Sequence, residues 1–182
     1  MTQALYFILR TLTQLYLLLL ILRFWLPVFR ADFRNPVAQG VLRLTSPLIV
    51  PLRRFIPPAG RLDTATVLIA FVIEYLLILL LLKLSGGGAP FLPIAVTAIV
   101  DLALLSLNMF FFVILLKIIL SWVAPHNYNP ITAMLATIAE PILRPFRRLV
   151  PPIGGLDISP IFAIILIQAS VIILQSYRPL PI

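Results

Sequence analysis

The chain has 182 residues, 62% of them hydrophobic and 11% charged, against roughly 45 to 50% and about 25% in an average soluble domain. So much apolar surface exceeds what one water-soluble core can absorb, and a mean hydropathy of +1.12 points to several crossings of a bilayer. No cysteine and one histidine, His126, argue against disulfides and against zinc, haem or iron–sulfur ligation, and a net charge of +8, mostly arginine, favours anionic lipid or acidic protein partners over nucleic acid.

A spanning helix needs about 20 mostly apolar residues at about 1.5 Å each. Residues 5–29 are the first such stretch. They lack a basic leader and a small-residue cleavage site and contain Arg10 and Arg23, so they read as a retained helix and not a signal peptide. The loop that follows holds Arg30, Arg34, Arg43, Arg53, Arg54 and Arg61. Within it Asn35 is a good N-cap, with Pro36 at the first helical position. A short interfacial helix is predicted with Val37, Val41, Leu42 and Leu44 as its apolar side, broken by Pro47 and Pro51. Asp63 stands where a second span begins, able to accept free backbone N–H groups.

That second span covers 64–84, and Gly86-Gly87-Gly88 lead to a third at 92–123, which must tilt or project because it is longer than a perpendicular crossing. A second basic loop carries Asn129-Pro130, Arg144, Arg147 and Arg148 before a last span at 158–177. The opposite side has only Lys83 and Arg178 near its connections. The excess of arginine places both loops in the cytoplasm and both termini outside.

The two loops align without a gap when the chain is shifted by 94 positions, so that Asn35-Pro36 falls on Asn129-Pro130, Arg53-Arg54 on Arg147-Arg148, Pro57 on Pro151, Gly60 on Gly154 and Asp63 on Asp157. Polar positions inside the spans follow the same offset: Gln14 with Asn108, Arg23 with Lys117, Glu74 with Gln168. The expected fold is therefore an all-α membrane protein of four transmembrane helices in two parallel helix-loop-helix repeats, 1–85 and 92–182, joined by a glycine-rich connector at 86–91.

Glu74 lies about ten residues, roughly 15 Å, into its span, where a charge costs about 2.5 to 3.5 kcal/mol. Arg23 is its expected partner. The pair reads either as a proton or cation site or as structural glue between helices. Gln168 at the matching position weakens a symmetric ion path. Arg10 and Asp101 are placed to form a salt bridge near the outer interface, Lys117 to snorkel, and Gln14 and Asn108 to hydrogen-bond between helices. His126 reads as an interfacial loop residue. Arg53, Arg54, Pro57, Gly60 and Asp63, with Arg144, Pro145, Arg147, Arg148, Pro151, Gly154 and Asp157, form candidate docking surfaces for anionic phospholipid or another membrane protein, because prolines stiffen the segments that aim the arginines. Topology determination alone would also account for the arginines. Paired catalytic carboxylates, a Ser-His-Asp or Cys-His set and a phosphate-cradling glycine loop are missing from the sequence, which argues against an enzyme.

The run Glu140-Pro141-Ile142-Leu143-Arg144-Pro145-Phe146-Arg147-Arg148, followed by Val150-Pro151-Pro152-Ile153-Gly154-Gly155-Leu156-Asp157-Ile158-Ser159-Pro160, resembles the signature of the YggT family of bacterial integral membrane proteins. The first copy departs from it at Val50, Arg61 and Thr64-Ala65-Thr66. The resemblance implies an inner-membrane scaffold or assembly factor, possible homo-oligomers, and links to hyperosmotic tolerance and potassium balance. Plastid and Gram-positive relatives are linked to cytochrome-complex assembly and division-site organisation. The alternative function is a potassium or proton channel component using the Glu74 region.

Overall fold

The structure is a computed structural model that describes residues 2–123, 129–150 and 157–180. Six helices and no strand occur among the described residues: α1 (Thr2–Val28), α2 (Pro36–Arg53), α3 (Thr64–Leu84), α4 (Phe91–Val123), α5 (Pro130–Leu149) and α6 (Ser159–Ser176). Four of these, α1, α3, α4 and α6, are long and apolar enough to cross a membrane. Their bounds fall within a few residues of those read from hydropathy, α1 starting three residues earlier than expected.

Helices α1 and α3 pack together, as do α4 and α6, and contacts of α4 with α1 and α3 join the two pairs. The amphipathic helices α2 and α5 close one end, each packed on its own pair and on the other. The largest buried cluster makes that junction, with Ile21 and Leu26 from α1, Val41 from α2, Ile114 from α4 and Ile138 and Leu143 from α5. Lipid tails are as apolar as these side chains, so the gain here comes from close packing and not from leaving water. Leu12, Leu15, Leu76, Leu80, Ile165 and Ile172 remain exposed around the spans, as a lipid-facing surface requires.

The helices of the basic loops are longer than expected. Both continue through two prolines, Pro47 and Pro51 in α2, where the sequence predicts a break, and Pro141 and Pro145 in α5. All four prolines are exposed, while Ala38, Val41, Thr45 and Ile49 of α2 and Met134, Leu135, Ile138, Ala139 and Leu143 of α5 are buried. The i, i+4 spacing puts the rings on the outer face, where the lost N–H bonds weaken only the solvent side of each ladder and the inner face still packs. The N-caps form as expected: Asn35 Oδ1 accepts from the Val37 N–H at 2.8 Å, and Asn129 Oδ1 from Ile131 and Thr132 at 2.9 Å each. Asn35 also donates from Nδ2 to the Pro130 carbonyl at 2.7 Å, linking the two amphipathic helices at their starts.

Candidate functional site

Two charge networks lie where the spanning pairs meet α2 and α5. In the first, Arg23 of α1 is only 3% exposed and is held on three sides. Its Nε reaches Asp63 Oδ2 at 3.4 Å, and Nη1 donates to Thr45 Oγ1 at 2.7 Å, Ser46 Oγ at 3.2 Å and the Leu42 carbonyl at 3.4 Å. Arg53 joins from the end of α2, with Nη2 on Asp63 Oδ2 and Nε on Oδ1. Burial pushes the Asp63 carboxyl up, but the hydrogen bonds and charges of Arg53, with the charge of Arg23, hold it below the usual carboxylate range. Asp63 is therefore an ion-pair centre and makes no side-chain cap on α3, a correction of the expected role.

Arg23 does not pair with Glu74. Eleven residues separate Glu74 from Asp63, about 16 Å of helix, and an arginine side chain level with Asp63 cannot span it. The depth estimate failed because the carboxylate at the helix start was assigned to capping and removed from the possible partners.

In the second network Lys117 Nζ bonds Glu140 Oε1, whose other oxygen accepts from Arg147 Nη1 at 2.6 Å; Arg147 Nε donates to Asp157 Oδ2 at 2.7 Å. Asp157 Oδ1 accepts from the Ser159 N–H at 3.0 Å and from its hydroxyl at 2.5 Å, so this aspartate meets the first N–H of α6 from the position before the N-cap residue, Ile158. Burial raises both carboxyls, but hydrogen bonds from Lys117 at Glu140 and from Ser159 and Arg147 at Asp157 outweigh it and hold both below their ordinary range. Burial opposes the charge on Arg147 too, and its bonds to Asp157 and Glu140 raise it nonetheless. Lys117 thus pairs within the protein where snorkelling to the interface was expected. Glu140, quoted above only within a signature, is the functional residue that sequence reasoning missed. Its signal was available, since it is one of only six acidic residues in the chain and sits on an amphipathic helix beneath a lysine.

Each arginine pair divides its work. All four are exposed, but Arg53 and Arg147 are held by carboxylates, while Arg54 and Arg148, like Arg144, make no ion pair among the described residues. Phe55 and Leu149, at equivalent positions after them, are 85% and 79% exposed. The first copy then turns through Gly60, whose φ of +64° favours glycine, beside a bridge between Ala59 and Leu62. The Pro57 carbonyl accepts from Thr64 Oγ1 at 2.9 Å. Pro145 is exposed on α5, while Pro151, Gly154 and His126 lie outside the described residues.

At the far end Asp101 pairs with Arg178 at 2.7 Å, taking the place of the expected bond to Arg10. The side chains of Gln14, Asn108 and Gln168 make no hydrogen bond among the described residues, so the expected interhelical glue is not formed there. Asn108 instead borders an otherwise apolar cavity of about 380 Å³ with Leu105, Phe112, Met134 and Ile138. No group of three or more His, Cys, Asp and Glu side chains suited to a metal occurs among the described residues.

The family model described as CCB3/YggT matches residues 2–84 and again 96–177. The chain belongs to the CCB3/YggT family. Its relatives include an uncharacterised protein of Pseudomonas aeruginosa, 44% identical over 169 residues that cover 92% of this chain and 85% of the relative. The uncharacterised YggT protein of Escherichia coli is 38% identical over 162 residues, covering 88% and 84%. A chloroplast protein of Arabidopsis thaliana, YlmG homolog protein 2, is 36% identical over 66 residues, or 35% of this chain and 25% of its own length. No solved structure matches. Both family segments contain one whole charge network, Arg23 to Asp63 in the first and Lys117 to Asp157 in the second.

Proposed function

We propose that this YggT-family chain is a non-enzymatic scaffold or assembly factor of the bacterial inner membrane, with α2 and α5 on the cytoplasmic side and both termini outside. Its docking surface is the unpaired member of each arginine pair, Arg54 and Arg148, each followed by an exposed apolar side chain, Phe55 or Leu149. The observation that carries this reading is the division within the pairs: a topology signal needs only charge, whereas here one arginine of each pair is ion-paired at the helix end and its exposed neighbour makes no ion pair among the described residues. An arginine beside an apolar tip suits an anionic headgroup above acyl chain, or an acidic partner at that boundary. Osmotic-stress tolerance and potassium balance are the cellular roles that the reading adopts.

Arg54→Lys with Arg148→Lys keeps the positive charge and leaves both inner networks intact, but removes the planar donor fork. This variant should insert and accumulate normally yet fail to support growth in high salt and lose co-purifying partners. Full complementation at native expression would reduce these arginines to topology signals. Single cysteines at Gln39 should resist an impermeant external thiol reagent that labels Ser85→Cys. The second reading, an ion path, is favoured by the buried Glu74 Oε2, which has no hydrogen-bond partner; it requires a selective flux in liposomes that Glu74→Gln abolishes.

A further inference from the structure

Midway along the bundle a buried acidic group is left over that neither network uses. Glu74 is 5% exposed in the middle of α3, and its Oε2 is enclosed without a donor. The same face of α3 carries Phe71, Tyr75 and Ile78, packed on Ile94 and Ala98 of α4, and the next turn of α4 places Asp101 level with Glu74. The other charged and titratable groups on this face are Arg10 and Tyr6 of α1 and Arg178 beyond α6. The Tyr6 hydroxyl donates to the Leu81 carbonyl at 2.9 Å, Arg10 makes no ion pair among the described residues, and Arg178 Nη2 is bonded to Asp101. On the fourth packed element, α2, the nearest cation, Arg53, is taken by Asp63 at the opposite end of α3. Leu180 packs on the Ile78, Ile94 and Ala98 cluster, so the segment after α6 folds back over the site.

Two carboxylates facing each other, with one guanidinium bonded to Asp101 alone and Arg10 nearby but unbonded, are hard to keep ionised together where Glu74 is closed to water. A proton on Glu74 resolves the conflict. Its O–H then donates to Asp101, which accepts from Arg178 as well, and the uncompensated charge disappears. We propose that Glu74 and Asp101 form a proton-binding site, with Glu74 carrying the proton and Arg178 closing the site from the segment after α6. Loss of that proton would leave Glu74 as a bare carboxylate beside the enclosed and unpartnered Nε of Arg178. The guanidinium would be drawn from Asp101 toward Glu74, so the proton also fixes where the 177–180 segment sits. This inference is independent of the docking reading.

The test is infrared spectroscopy of the full chain in lipid at neutral pH. The expected result is a carbonyl band of a protonated carboxyl, shifted down in heavy water and lost in Glu74→Gln. The same variant should unfold within a few degrees of the parent, because a glutamine amide donates to Asp101 as the protonated acid does. Absence of the band at neutral pH, or its persistence in Glu74→Gln, would overturn the proposal. If Glu74→Gln does not accumulate, Asp101→Asn serves: it removes the like charge and releases Arg178 to pair with an ionised Glu74, so the band should weaken or disappear at neutral pH, and an unchanged band would overturn the proposal equally.

Discussion

The two networks at the arginine-rich end use matching positions to opposite effect. In the first, a guanidinium is sealed inside and satisfied mostly by neutral oxygens, those of Thr45, Ser46 and Leu42, with Asp63 as its one anion. In the second, an ammonium meets a carboxylate, Glu140, at the position where the first copy has Ser46, and the pair stays partly open. The residue types explain the difference. Arginine offers five N–H donors in a fixed fork and can fill several neutral acceptors, whereas lysine is a compact point charge that is best met by a full negative charge. One copy is thus built as a buried lock and the other as a surface chain of charges, although the backbone plan is shared.

The largest expected effect tests that contrast directly. Asp63→Leu strands Arg23 without its anion at a buried site and should cost about 3 to 5 kcal/mol of unfolding free energy, whereas Glu140→Leu in the open network should cost about 1 kcal/mol. Unfolding in a denaturant series in detergent measures both, and equal losses would erase the distinction between lock and chain.

Acid provides the next test. Asp63 and Asp157 are both held below their ordinary range, so each contributes stability that is present above the unfolded-state value of about 3.9 and lost as pH falls through the lower folded value. The melting temperature should fall below about pH 4, and Asp63→Asn should flatten that fall more than Asp157→Asn, since burial strengthens the first pair. A larger flattening from Asp157→Asn would reverse the assignment.

The smallest effect is a conversion of one network into the other. Glu140→Ser makes the second copy resemble the first at that position and leaves Lys117 unpaired; adding Lys117→Arg should restore about 0.5 to 1 kcal/mol through bonds to neutral oxygens. No restoration would mean that Arg23 depends on the particular placement of Thr45 and not on its donor number.

The spans were legible because each carries an unbroken apolar run, and α3 was placed with its observed bounds. The N-caps at Asn35 and Asn129 were legible for the same local reason. What depended on depth and direction was not. Arg23 was assigned to Glu74 by counting along a helix, while its actual partner stood one loop away in space and was already committed to another role. The lengths of α2 and α5 were hidden because proline was treated as a break regardless of face. Only packing decides that Pro47, Pro51, Pro141 and Pro145 point outward. Asp101 with Arg178 depends on a segment folding back across the bundle, which no periodicity encodes.

Those four prolines also create a demand for outside hydrogen-bond donors. Each withholds the N–H that would occupy the carbonyl four residues earlier, so the carbonyls of Arg43, Pro47, Thr137 and Pro141 lose their partner within the helix. Hydrocarbon offers nothing in exchange, so such carbonyls turn to water, headgroups or a neighbouring polar group. The same rings that stiffen α2 and α5 thus leave two carbonyls on each helix in need of an outside donor, which draws those faces toward water or headgroups.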